Sequence, residues 1–184
     1  RLDPGGNVYY WGGADFALRS LDHSGAAWVM ICNNDITVDP SFAAQLGELD
    51  ASQLGIVAPS ITSSVTGREQ NPLLEQPPGW KQRLKWRIYD LHFLVASAML
   101  SVHSALSAPP TAAGPRERRM IYAPHGACVL LSRAFFDAGG SLDTTVPLFA
   151  EELTLARDAR ALQMPIVFEP SLRVTHREHS TTGA

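Results

Sequence analysis

The feature that most constrains the fold is an apolar run, Ala26–Cys32, that ends abruptly in the polar residues Asn33, Asn34 and Asp35. The run reads AAWVMIC and is far too short to span a membrane as a helix. A short apolar run bounded by turn residues is typical of a strand buried on both faces of a parallel sheet. A second run, Leu54–Ala58, has the same character. The two runs therefore predict a central sheet covered on both sides.

Helical patterns alternate with these apolar runs. In Glu151–Leu162 small and apolar residues recur every third position, and the charged residues lie between them, as in an amphipathic helix. Alternating strands and helices predict an α/β fold with a mainly parallel sheet. The other helices are expected at Asp15–His23, Pro40–Leu49 and Arg133–Ala138, with Gly139 and Gly140 ending the last of these. The other strands are expected around Ile121–Leu131, at Ile166–Phe168 and at Leu172–Thr175, with Pro59 ending the strand Leu54–Ala58.

The size and charge of the chain exclude several classes of protein. Its 184 residues are 45% hydrophobic, and a chain of this length buries roughly 70% of its unfolded surface. We therefore expect one domain, residues 1–184, and not a disordered tail. The net charge of −3 argues against a nucleic-acid-binding protein, which usually presents a basic face.

Residues 62–119 are expected to be a variable insertion in this domain. A polar, Pro-rich loop comes first, and Trp80–Ser107 then combines a basic and aromatic start with a short apolar helical stretch. Such a helix packs on the domain or on a partner chain. The alternative is a helix that rests on a membrane surface near a lipid-linked acceptor.

Three polar groups are candidates for chemistry, because ligands bind outside the carboxyl ends of strands in open α/β sheets. Asn33–Asp35 offers the hard oxygen ligands that Mg²⁺ and Mn²⁺ prefer, or forms an Asx-rich turn. Glu151 and Glu152 either complement the dipole at a helix start, or place in a cleft a carboxylate that accepts a proton. His176 is a metal ligand or part of an exposed polar tail.

Cys32 and Cys128 are the only cysteines, and both lie in apolar runs. This placement favours two reduced, buried thiols in a cytosolic protein. A disulfide or a metal-binding pair is the alternative, although neither cysteine belongs to a cluster with ligand spacing.

Six segments in this order resemble the family 2 glycosyltransferases, above all those that build bacterial surface polysaccharides. The resemblance covers nearly the whole chain apart from residues 62–119. The segments are GGNVYYWGGADFALRSL, WVMICNNDITVDP, LGIVAPSI, APHGACVLLSRAFFDAGGSLD, LFAEELTLARDARAL and IVFEPSLRVTHREHSTTG.

The resemblance implies a GT-A fold, in which a nucleotide-diphosphate sugar lies across a Rossmann-like sheet with a divalent cation, Mg²⁺ or Mn²⁺. It also implies inverting transfer of the sugar to a saccharide or lipid-linked acceptor. In this interpretation Glu152 is the catalytic base. Asp35 and His176 bind the metal; Asn33, Asn34, Asp35 and Gly13 bind the nucleotide sugar; Glu151, His125 and Gly126 lie on the acceptor side.

The resemblance further implies a first strand and a base-reading Asp that would precede Arg1. We therefore expect weak or no transferase activity from this chain alone, and an exposed sheet edge that favours self-association. The alternative is a non-catalytic binding or assembly module derived from a truncated glycosyltransferase. A nucleotidyltransferase ranks lower because no Gly-rich phosphate loop with a lysine is present. The expected location is the cytoplasm, with peripheral contact to the inner face of the membrane, and no nucleic-acid partner is expected.

Overall fold

The computed structural model describes residues 2–79, 117–145 and 151–177. These residues form four helices and six strands. In chain order they are α1 (Tyr9–Ser20), β1 (Trp28–Cys32), β2 (Ile36–Val38), α2 (Phe42–Gly47), β3 (Ile56–Ser63), β4 (Arg119–Met120), β5 (Cys128–Ser132), α3 (Arg133–Asp137), α4 (Glu151–Ala161) and β6 (Ile166–His176).

The strands form one mixed sheet in the order β1-β5-β3-β6-β2, with β4 also beside β6. Four of the five pairings between the described strands are antiparallel, and the pairing of β3 with β6 is parallel. The α/β class is confirmed, but the expectation of a mainly parallel sheet is wrong.

The apolar runs misled the prediction of strand direction because they report burial on two faces and not direction. One face of the sheet is covered by α1, α3 and α4 through Trp11, Phe135 and Leu155. The other face packs against α2 through Phe42. All five residues of β5 are consequently buried although both of its neighbours are antiparallel.

Two strand boundaries and the burial of a third strand also differ from the sequence prediction. Strand β3 continues through Pro59 to Ser63, because the register with β6 shifts between Pro59 and Ser60 and the missing proline N–H falls at this irregularity. The two strands expected after residue 165 are one strand, β6. Strand β1 ends the sheet order and is only half-buried, so it is not covered as its apolar sequence predicted.

The antiparallel pairings leave β1, β3 and β6 running in the same direction. Strand β5 is antiparallel to both β1 and β3, and β3 is parallel to β6. The carboxyl ends of these three strands therefore meet at one edge of the sheet. The segments that follow β1 and β3, and the end of β6, come together there with the loop before β5.

The helix predictions are confirmed for α2, α3 and α4 within a few residues at each end. Helix α1 begins at Tyr9, six residues before the expected start at Asp15, and buries Trp11. The segment Trp80–Ser107 lies outside the described residues. Of the helices that are described, none has the length and apolar character needed to cross a membrane.

Gly140 should be among the glycines least tolerant of substitution. A Cβ at Gly140 would lie 2.5 Å from both the backbone oxygen and the ring Cε1 of the fully buried Phe135. We expect Gly140→Ala to lower the free energy of unfolding by about 1–3 kcal/mol, as overpacking does. Urea unfolding measures this, with Gly47→Ala as the control because a Cβ at Gly47 meets open space. Equal stability of the two variants would contradict the packing described for α3.

Candidate active site

Asp35 and His176 are in contact at the edge where the three carboxyl ends meet. The Oδ1 atom of Asp35 lies 3.2 Å from Nε2 of His176, and both side chains are nearly buried. The amide Nδ2 of Asn33 lies 3.4 Å from the same imidazole nitrogen. The backbone N–H of Arg177 donates to the carbonyl of Asp35, which fixes the turn after β1 to the end of β6. The sequence separates Asp35 and His176 by most of the chain, and the sheet brings them together.

The hydrogen bond at Nδ1 of His176 determines whether Nε2 carries a proton or a lone pair. The Nδ1 atom lies 2.9 Å from Oε1 of Gln70, which can only accept a hydrogen bond. With the proton on Nδ1, a neutral imidazole presents its Nε2 lone pair toward the carboxylate of Asp35. Such an arrangement is favourable when a cation lies between the two groups. A histidine that donates its other N–H to an oxygen is also the usual form of a metal-binding histidine.

His125 stands beside this pair on the loop that precedes β5. Its ring centroid lies 6.3 Å from that of His176, in an edge-on arrangement. The N–H of Ala127 donates to Nδ1 of His125, so the ring proton of the neutral imidazole is on Nε2. The loop itself is held by the buried Asn71, whose Oδ1 accepts from the backbone N–H of His125 at 2.7 Å.

Glu152 contacts the next residue of the same loop. Its Oε1 accepts a hydrogen bond from the backbone N–H of Gly126 at 3.1 Å. A Cβ at Gly126 would lie 2.6 Å from that oxygen, so the absence of a side chain allows the carboxylate to approach. The hydroxyl of Tyr10 in α1 donates to the carbonyl of Gly126 at 2.9 Å. Gly126 is therefore held on one side by α1 and contacts Glu152 of α4 on the other.

The surroundings of Glu152 favour its protonated form. Burial raises the pKa of this carboxyl above its ordinary value of 4.5, and the neighbouring Glu151 raises it further. Hydrogen bonds from the backbone N–H of Glu152 itself and from that of Gly126 lower the pKa but do not cancel the effect of burial. A carboxyl group with a raised pKa is better suited to accepting a proton from a substrate hydroxyl.

Glu152→Gln should change how stability depends on pH. Below pH 4.5 the carboxyl group of Glu152 is protonated in both the folded and the unfolded chain. As the pH rises, the unfolded chain loses this proton first, because the pKa of Glu152 is higher in the folded protein. The parent therefore loses stability until the pH passes the pKa of the folded state, whereas the amide variant does not. We expect the free energy of unfolding of the parent to fall relative to Glu152→Gln between acid and neutral pH. Urea titrations at several pH values measure this, with Glu48→Gln, an exposed glutamate after α2, as the control; parallel pH profiles of the parent and Glu152→Gln would contradict the burial effect.

The other site residues predicted from the sequence are Glu151, Asn34 and Gly13. Glu151 shares the first turn of α4 with Glu152, and its carbonyl accepts from Nε1 of Trp11 at 3.2 Å. Asn34 is exposed in the turn after β1. Gly13 lies inside α1.

Three further residues, which no sequence pattern marks, hold the site in place. Tyr10, Gln70 and Asn71 bind Gly126, His176 and His125 respectively. Burial raises the pKa of Tyr10, so its hydroxyl remains a donor. No local pattern marks these residues, because each contact joins segments that are 54 or more residues apart.

The candidate residues form one continuous path at a single edge of the sheet. Asp35 contacts His176, His176 lies beside His125, and His125 precedes the Gly126 that contacts Glu152. Among residues 2–79, 117–145 and 151–177, no group of three or more His, Cys, Asp or Glu side chains has metal-binding geometry. Within the described part of the chain, a carboxylate and an imidazole are thus brought together without a complete metal cage.

Comparison with known proteins gives no family for this chain. No family model matches the sequence, and no curated protein matches it either. The resemblance to the family 2 glycosyltransferases remains a prediction from the six segments.

Proposed function

We propose that this protein is a glycosyltransferase of the GT-A type that moves a sugar from a nucleotide-diphosphate sugar to a saccharide or lipid-linked acceptor in polysaccharide biosynthesis. The observation that carries the proposal is the path from Asp35 through His176 and His125 to Glu152 at one edge of the sheet. A transferase of this type needs a group that accepts a proton and a group that stabilises a leaving diphosphate. Both kinds of group occur along this path.

Glu152 acts on the acceptor side in this proposal. Its carboxylate removes the proton of an acceptor hydroxyl, and that oxygen forms a bond to the anomeric carbon while the bond to the diphosphate breaks. The configuration at the anomeric carbon inverts because attack and departure occur on opposite faces. The N–H of Gly126 orients the carboxylate through its contact with Oε1. Glu151, His125 and Gly126 face the acceptor in the same interpretation.

Asp35 and His176 are the residues that would hold a divalent cation, Mg²⁺ or Mn²⁺. Their facing atoms are 3.2 Å apart, a separation that two ligands of one small cation can adopt. The N–H···O contact between His176 and Gln70 presents Nε2 with its lone pair toward that position. When bound, the cation would stabilise the negative charge of the leaving diphosphate. Diphosphate oxygens and waters would complete the coordination, as is usual for Mg²⁺.

The proposed donor-side contacts extend from this pair. Asn33 adjoins His176 through its amide, and Asn34 is exposed beside it, where both can meet phosphate or sugar oxygens. Gly13 of α1 is a further donor-side residue in this proposal. The proposed location is the cytoplasm, with peripheral contact to the inner face of the membrane where lipid-linked acceptors are found. Self-association through the half-buried edge strand β1 is part of the same proposal.

Calorimetric titration with UDP, GDP and dTDP, each with and without Mn²⁺, tests the proposal. We expect at least one nucleoside diphosphate to bind, and to bind more tightly with Mn²⁺. The matching nucleotide sugars are then assayed for release of nucleoside diphosphate. Failure of all three to bind with Mn²⁺ would overturn the proposal.

The same titration separates the second candidate, a non-catalytic binding or assembly module. Two kinds of metal ligand come together, but no complete metal cage is present among the described residues. This favours a site that binds a ligand without catalysing a reaction. Binding of a nucleoside diphosphate without turnover of any nucleotide sugar supports this module. Release of nucleoside diphosphate that depends on Glu152 supports the transferase.

A further inference from the structure

The two cysteines are neighbours across the sheet although 96 positions separate them along the chain. Cys32 ends β1, Cys128 begins β5, and the two are directly opposite in the antiparallel register. Directly opposite residues of an antiparallel pair project from the same face of the sheet. Both cysteines are free thiols in the structure.

The hydrogen bonds of this ladder identify the type of pair. The N–H of Asn33 donates to Ala127, and the N–H of Arg133 donates to Ala27, each at 2.9 Å. Hydrogen-bonded and non-hydrogen-bonded pairs alternate along an antiparallel ladder, so Cys32 and Cys128 form a non-hydrogen-bonded pair. In such pairs the Cα atoms are about 4.5 Å apart, within the range of about 4.4–6.8 Å that a disulfide spans.

We propose that Cys32 and Cys128 form a reversible intramolecular disulfide when the protein meets hydrogen peroxide. The pairing of β1 with β5 places the two residues directly opposite each other, and the Cα separation typical of such a pair is one that a disulfide spans without rearrangement of the sheet. The bond would join the segment before Asn33 to the segment after Ala127. It would therefore fix the spacing between the two sides of the candidate site, whichever function that site has.

The reaction begins at Cys32, which is half-buried on the edge strand β1, whereas Cys128 is buried. The thiolate of Cys32 attacks one oxygen of hydrogen peroxide, the O–O bond breaks, and a sulfenic acid and hydroxide form. The sulfur of Cys128 then attacks the sulfur of Cys32 as its S–O bond breaks. The thiol proton of Cys128 and the departing hydroxyl form water. In total two thiols and one peroxide give one disulfide and two waters, with two electrons passing from sulfur to oxygen.

The rate of this reaction should depend on pH. Burial raises the pKa of the Cys32 thiol, and burial with the nearby Cys32 raises the pKa of Cys128 to about 12. The reactive species is the thiolate, so oxidation is slow at neutral pH and accelerates as the pH rises.

Mass spectrometry of the folded chain after peroxide treatment tests the proposal. The sample is denatured in the presence of an alkylating reagent and then digested with trypsin without reduction. We expect a mass lower by two hydrogen atoms, no alkylation, and a linked pair of peptides spanning residues 20–68 and 120–133. A reducing agent should restore both free thiols.

Cys32→Ser is the matched control because Cys32 is the more exposed partner and its replacement should disturb the core least. This variant should not give the species that lacks two hydrogens, and Cys128 should then accept the alkylating reagent. The proposal is overturned if the parent forms disulfide-linked dimers in place of the internal bond. It is equally overturned if Cys32 is oxidised to a sulfinic acid while Cys128 remains free to react.

Discussion

Replacing Glu152 by Gln should reduce the rate of sugar transfer by about 100- to 10,000-fold, the range typical of a lost general base. The amide oxygen of Gln can still accept the hydrogen bond from Gly126 that Oε1 of Glu152 accepts in the parent. The variant therefore keeps the local contact and loses the ability to accept a proton. The rate is measured as release of nucleoside diphosphate from a nucleotide sugar in the presence of an acceptor, under conditions in which the parent protein is active.

The pH profile gives a second readout of the same residue. The base must be deprotonated, and burial raises the pKa of Glu152 above 4.5. The rate constant kcat/KM of the parent should therefore fall on the acid side at a pH above 4.5. The residual rate of the Gln variant should lack this acid limb.

Two further variants separate chemistry from folding in this experiment. Glu48→Gln removes an exposed carboxylate after α2 and should leave the rate unchanged. Gly126→Ala keeps Glu152 but places a Cβ 2.6 Å from Oε1, so the carboxylate must move. Its rate should fall while its stability changes little, because the end of the Glu152 side chain can give way. Parent-like rates in both Glu152→Gln and Gly126→Ala would exclude Glu152 as the base.

The sequence could predict the helices and the approximate positions of most strands, but not the direction of the strands. The three-residue recurrence in α4 includes Ala156 and Ala159, which are buried, but it leaves out Leu155, which is buried as well. The apolar run in β5 reports burial on both faces, and an antiparallel strand between two helical layers satisfies that pattern as well as a parallel one. Direction depends on which strands pair over long distances, and composition does not record this.

The edge of the sheet at which the candidate site lies could nevertheless be predicted. The reason for that prediction does not depend on the strands being parallel neighbours. The rule that ligands bind at carboxyl ends of strands requires that several strands point the same way, not that they are neighbours. Strands β1, β3 and β6 meet this condition although β5 separates β1 from β3. Asp35 and His176 therefore come together as expected. Their supports, Gln70 and Asn71, belong to a loop whose polar sequence carries no signal for these contacts.

The second large effect is expected at the opposite end of the same path, from Asp35→Asn. The substitution keeps the shape of the side chain but removes the negative charge that faces Nε2 of His176 at 3.2 Å. A divalent cation would then lose its charged ligand from the chain. We expect the Mn²⁺-dependent part of nucleoside diphosphate affinity to fall by at least about 10- to 100-fold, the loss typical of changes beside a metal.

Calorimetric titration of Mn²⁺ with a nucleoside diphosphate measures this loss, and Asp50→Asn supplies the control. Asp50 is an exposed aspartate whose Oδ1 accepts from Ser52, away from the candidate residues. A structural role for Asp35 would lower the stability of the fold and leave the ratio of affinities with and without Mn²⁺ unchanged. A metal-binding role would lower that ratio toward one while urea unfolding remains close to that of the parent. Because Asp35 and His176 are the two ligand types that the sheet brings into contact, an unchanged ratio in Asp35→Asn would leave the proposed cation without a site at this edge.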